Sequence, residues 1–113
     1  MKQGEVWLSA GTGYLRKPRP VVIVQSNGCV DSTQSVTLLL LTSCETRACS
    51  NFRILVRKDA QNGLEEDSYL MIDKLVTVPK NKLGKQLGSV SDETLGAILA
   101  AITKFLGIRQ EHI

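Results

Sequence analysis

Lys17-Pro18-Arg19-Pro20-Val21-Val22-Ile23-Val24-Gln25 is the stretch from which the rest of this 113-residue chain is best read. Each proline holds its own φ and pushes the residue before it toward extended backbone. Arg19 is therefore clamped between two stiff joints as the chain enters four β-branched residues. A rigid arginine at the mouth of a buried strand follows. By residue type alone it solvates the rim of a core strand; as chemistry it is a forked cation held in a fixed place. A polyproline ligand is disfavoured, because Val21 to Val24 follow without a spacer.

Upstream, Gly4-Glu5-Val6-Trp7-Leu8 has the residue types of a first strand, and Gly11 to Lys17 is a loop that carries Tyr14, Arg16 and Lys17 onto Arg19. An aromatic beside cations suits a surface that stacks bases and follows phosphates. Downstream, Ser26-Asn27-Gly28 signals a turn, and Ser35 to Leu41 is a second strand, apolar on both faces, that emerges into Thr42 and Ser43. Those hydroxyls either cap a strand end or serve a site. Phe52 to Arg57 is strand-like, Asp59 to Asp67 is a turn-rich acidic loop, and Ser68 to Val78 is a strand long enough to need a bulge or bend. Within it Asp73 either pairs locally, with Lys74 or a backbone amide, or faces a cleft. Pro79 ends that strand, and Lys80 to Lys85 reads as a solvated basic connector. Ser91 is placed as a helix N-cap with Asp92 and Glu93 in the first turn. Leu95, Ile98, Leu99, Ile102, Phe105 and Leu106 then share a face, and Gly107 ends the helix. The pattern predicts a single domain spanning 1–113, a small, mostly antiparallel sheet or partly closed barrel with one long carboxy-terminal helix packed on it.

Composition agrees with a soluble domain: 42% hydrophobic, 22% charged and only 4% aromatic, so the core is built from Val, Leu, Ile and Ala. A formal net charge of +3 is compatible with a polyanionic partner without announcing one. No apolar run approaches membrane-spanning length and no export signal is evident, so a cytoplasmic protein is expected, with Cys29, Cys44 and Cys49 as free thiols. The sole histidine, His112, is near the carboxy terminus, and no cluster of ligating residues has metal spacing, so no cofactor is expected.

Several stretches taken together have a family likeness. Gly4-Glu5-Val6-Trp7, Arg19-Pro20-Val21-Val22-Ile23-Val24, Leu40-Leu41-Thr42-Ser43, Gly63-Leu64-Glu65-Glu66-Asp67-Ser68-Tyr69, Asp73 to Val78, and Leu87 to Glu93 ending in Leu106-Gly107-Ile108 resemble, in order and spacing, the MazF/PemK family of bacterial toxins. The resemblance implies a mainly β fold with one carboxy-terminal helix, a small SH3-like, partly closed β-barrel, and a homodimer. It implies a sequence-specific endoribonuclease that cuts single-stranded RNA and is restrained by a cognate antitoxin whose acidic, disordered tail lies over the RNA groove. DNA would be met only indirectly, through the antitoxin complex, and no membrane is involved. Carried over by position, Arg19 and Thr42 are the catalytic candidates, with Tyr14, Arg16, Lys17, Ser43 and Asp73 as further RNA-binding candidates. Two departures stand out. The first loop is short and lacks the Glu or His that usually precedes the Arg-Pro pair, and Met71 stands where some members have an arginine two residues before the acidic position. The general base is thus left open.

Such chemistry needs no metal. The ribose 2′-hydroxyl attacks its own phosphate, Arg19 stabilises the growing phosphorane charge, and Thr42 donates a hydrogen bond or holds the 2′-hydroxyl in line. Two other functions share the fold: a CcdB-like toxin that acts by binding gyrase, and an RNA-binding relative without catalysis.

Overall fold

The structure, a computed structural model, describes residues 1–10, 18–43 and 52–109. The β-branched and leucine-rich runs form strands β1 (Glu5–Ser9), β2 (Arg19–Ile23), β3 (Ser35–Thr42), β4 (Arg53–Val56) and β5 (Ser68–Pro79). The Ser26-Asn27-Gly28 turn winds into a single helical turn, α1 (Asn27–Val30). After a 3₁₀ turn at Lys80–Lys82 comes β6 (Leu83–Ser89), and the chain closes with α2 (Asp92–Leu106). All described pairings are antiparallel, and the six strands lie in the order β4-β5-β3-β2-β1-β6.

Alternation along these strands feeds two cores, because both faces of the central sheet are covered. Val22, Leu39, Leu41, Leu70 and Ile72 pack on one side with Ile98 of α2, whereas Val21, Ile23, Leu38 and Leu40 pack on the other with Val30 and Leu83. This is why β3 reads as apolar throughout. Helix α2 starts as its capping residue dictates, with Ser91 Oγ accepting from the Thr94 amide at 3.1 Å, and it stops at Gly107 in the left-handed region. Ile98, fully buried, contributes about 1.5–3 kcal/mol of apolar burial on that face.

Two expectations are corrected. The basic connector is not all surface loop, since Leu83, Gly84 and Lys85 belong to β6, which pairs with β1 through two register shifts. Of the apolar helix positions, Phe105 and Leu106 are 39% and 51% exposed, with the Phe105 ring meeting Phe52 edge-on at 5.0 Å. The expected irregularity in β5 is present. Its register against β3 jumps between Leu39↔Leu75 and Leu41↔Leu70, so β5 carries extra residues at the bend.

The sheet does not close, because β4 and β6 are edges that do not pair with one another. The chain between β4 and β5 crosses that gap. The Ser89 amide donates to Gln61 O at 2.9 Å, and Gly63 lies directly against Leu87 O. A partly closed barrel results, with one helix on its side.

Candidate active site

Strand register builds the site. Arg19 is the partner of Ser9 on β1, whose Oγ donates to Arg19 O at 3.1 Å. The β2–β3 register pairs Val21 with Leu40, and continuing it by two residues sets Arg19 opposite Thr42. Thr42 in turn pairs with Tyr69 of β5. Directly opposed residues of antiparallel strands share a face. The guanidinium and the hydroxyl predicted as a pair therefore stand on neighbouring strands at the same rung, although 23 positions separate them in sequence.

Arg19 and Thr42 also line a cleft of about 700 Å³ at this end of the sheet, together with Ser43 and the two prolines that flank Arg19. Its other side is built by the chain after β4, which contributes Leu64, Glu65, Glu66 and Ser68. That segment is held by its own polar atoms. Buried Asn62 donates Nδ2 to Arg57 O at 2.8 Å and accepts from the Leu64 amide at 3.0 Å, while the Asn62 amide donates to Asp59 Oδ1 at 2.7 Å. Ser68 Oγ donates to Glu66 O at 3.0 Å, and Asp67 accepts from the Lys58 amide at 2.8 Å. The carboxylates thus reach the cleft on a braced loop.

Charge in the cleft is divided. Among the described residues the ion pairs are Arg53–Asp73 and Arg57–Asp67, so Arg19 has no carboxylate partner among them. Glu65 and Glu66 bring negative charge to the opposite side.

Asp73 is placed elsewhere. Its carboxylate pairs with Arg53 across β4 and β5, and not with the adjacent Lys74; both side chains are largely buried, at 12% exposure for Arg53 and 23% for Asp73. Arg53 sits directly opposite Met71 on β5. Arg53 Nε is buried without a hydrogen-bond partner. Asp73 does not line the cleft that contains Arg19. Tyr14, Arg16 and Lys17 lie outside the described residues, as do Cys44, Cys49 and His112. Cys29 is an exposed free thiol. Among the described residues no group of His, Cys, Asp or Glu could hold a metal ion, and no helix is long and apolar enough to cross a membrane.

Reasoning from sequence did not single out Glu65 or Glu66, which line the cleft, or Tyr69, which stands opposite Thr42. For the glutamates the usable signal was their place in a turn-rich loop that starts at Gly63 and ends at Ser68. For Tyr69 it was alternation: Ser68 and Leu70 are buried, so the residue between them faces the other way.

Residues 2–106 match the family described as PemK-like, MazF-like toxin of type II toxin–antitoxin systems. The chain is 37% identical over 109 residues to a probable endoribonuclease MazF of Mycolicibacterium smegmatis, covering 96% of this chain and 98% of that one. Its fold is similar to that of a mycobacterial endoribonuclease solved in complex with its cognate antitoxin, with TM-score 0.77, 26% identity, and 98% and 99% of the two chains covered. A MazE–MazF complex from Deinococcus radiodurans shares the fold at TM-score 0.72 and 16% identity, over 96% of this chain and 97% of that one.

Proposed function

The chain belongs to the PemK-like, MazF-like toxins of type II toxin–antitoxin systems, and on that footing we propose that it is a cytoplasmic endoribonuclease that cuts single-stranded RNA at preferred sequences without a metal ion. The observation that carries this reading is the juxtaposition of Arg19, which has no ion pair with a described residue, and Thr42 on one rung, at the rim of a cleft. The 2′-hydroxyl attacks the adjacent phosphorus and the 5′-oxygen departs, leaving a 2′,3′-cyclic phosphate on one fragment and a 5′-hydroxyl on the other. Arg19 binds the non-bridging oxygens as their charge grows, and Thr42, with Ser43 beside it, hydrogen-bonds the phosphate or the attacking ribose. Glu65 and Glu66 are the carboxylates within the same cleft that can take the 2′-hydroxyl proton, and water supplies the proton that the departing 5′-oxygen needs to become a hydroxyl.

The expected result is cleavage of a mixed-sequence RNA in excess EDTA, with the cyclic phosphate identified by mass spectrometry of the fragments. Activity that vanishes on chelation and returns with magnesium would refute the mechanism. Binding without cleavage would instead favour an RNA-binding relative, and inhibition of gyrase without action on RNA would favour the CcdB-like alternative.

The partners follow from the same surface. A cognate antitoxin with an acidic, disordered tail would be held by the free charge of Arg19, and DNA would be reached only through that complex. Phe105, Leu106 and Ile108, with 39%, 51% and 55% of their surfaces exposed, form an apolar end to α2 that a symmetric homodimer would cover. Sedimentation at micromolar concentration is expected to give a dimer; a monomer there would exclude that assembly.

A further inference from the structure

Resting on the reading of Arg19 and Thr42 as the phosphate site, we propose that Tyr69, with Leu55 beside it, is the platform on which the base of a nucleotide next to the scissile phosphate stacks. The register sets Thr42 opposite Tyr69 and Tyr69 opposite Leu55. Continued to Arg19, the row therefore crosses β2, β3, β5 and β4 in the order cation, hydroxyl, aromatic, aliphatic. Neighbouring strands are spaced by about 4.8 Å, so the Tyr69 backbone is about 10 Å from that of Arg19 and adjacent to Thr42. This is the reach of the sugar and base attached to a phosphate held by the guanidinium.

Burial gives the row its direction. Leu70 packs in the core with Ile98 of α2 and Ser68 is buried at the cleft, so alternation turns Tyr69 to the opposite face, where it is only partly covered and stands outside the cleft lining. Leu55 is 42% exposed although Ile54 and Val56 on either side pack toward the core around α2. The ring pair among the described residues is Phe52–Phe105, so no described aromatic ring stacks on Tyr69. A half-open tyrosine beside an exposed leucine, continuous with a cation and a hydroxyl, is a surface for a flat apolar face that ends in a phosphate. Among polyanions that describes a nucleotide. An aromatic platform accepts any base, so Tyr69 contributes affinity and position while leaving base preference to other groups.

The test uses the full-length protein and a short single-stranded RNA spanning the cut mapped in the chelator assay, with 2′-O-methyl at the cut nucleotide to prevent cleavage. Tyr69→Ala is expected to raise Kd about tenfold, with Tyr69→Phe restoring affinity close to that of the wild type. The dependence of log Kd on log salt should keep its slope, because stacking releases no counterions. An abasic scan of the RNA should find one position next to the cut at which wild type loses about tenfold and Tyr69→Ala loses nothing more. Tyr69→Leu, which keeps apolar bulk without a ring, should behave as Tyr69→Ala does and covers the case in which the alanine variant unfolds. Unchanged affinity in both ringless variants would overturn the proposal, as would losses that add to those of every abasic position. Wild-type protein that cuts the unmodified RNA while these results fail would refute Tyr69 alone, whereas protein that neither cuts nor binds RNA would refute the ribonuclease reading with it.

Discussion

Arg19→Ala is expected to slow single-turnover RNA cleavage by about a hundredfold or more while leaving the fold intact. The size follows from the site. A preorganised donor aimed at charge that develops only in the transition state typically contributes about 2.7–4 kcal/mol, and Arg19 has no ion pair with a described residue to divert it. The fold should tolerate the change because Arg19 is exposed at the first position of β2, outside both cores. Its backbone, not its guanidinium, makes the contact to Ser9. Arg19→Lys should recover only part of the rate, since an ammonium keeps the charge and loses the planar fork. Thr42→Ala should cost less than Arg19→Ala, because a hydroxyl contributes a neutral hydrogen bond where the arginine contributes a charge-assisted one. Single-turnover rates beside melting curves decide the matter. A folded Arg19→Ala protein that cuts at the wild-type rate would place the chemistry elsewhere.

Gly63→Ala is expected to produce the largest loss of stability, about 3 kcal/mol or more, seen as a fall in Tm of about 12 °C or more. A Cβ at Gly63 would come within 2.0 Å of Leu87 O, and Gly63 also has φ +69°, a conformation that L side chains rarely adopt. Both effects fall on the place where the chain after β4 crosses to β6. Neither neighbour can yield cheaply, because each is backbone. Gly88→Ala probes the same contact from the strand side, where a Cβ would lie 2.1 Å from Gln61 O, and should behave similarly. Gly28→Ala is the control: a Cβ there meets no atom within 4 Å, and its Tm should barely move. Because Glu65 and Glu66 are carried two and three residues beyond Gly63, whatever Gly63→Ala protein remains folded should also cut RNA more slowly. Unchanged melting in both tight-glycine variants would mean that the loop is not anchored on β6.

The elements that were legible in the sequence are those whose own side chains create the burial. The β-branched run after Arg19-Pro20, the leucine run of β3 and the helical spacing from Leu95 to Ile102 each present apolar surface that must be covered, and each formed the expected element. Strand β6 was not legible because Leu-Gly-Lys-Gln-Leu-Gly-Ser buries little beyond Leu83. It is held by backbone pairing to β1, and that leaves no periodic signature in the side chains. Helical spacing likewise grouped Phe105 and Leu106 with the packed face, but it carries no information about how much of each the rest of the fold covers.

The site divides along the same line. Prolines on both sides of an arginine, and hydroxyls at the end of a buried strand, are local signals that drew attention to Arg19 and Thr42, but it was the family resemblance that made them catalytic candidates. Local order along the chain thus determined the strand and helix types and offered Arg19 and Thr42 as candidates. Tertiary structure alone decided their neighbours. Tyr69 stands beside Thr42, and Arg53 beside Asp73, through strand register, and Glu65 and Glu66 reach the cleft because Gly63 and Gly88 let two backbones touch. The physical reason is that pairing partners are chosen by the summed burial and hydrogen bonding of whole strands, a quantity that belongs to no single stretch of the chain.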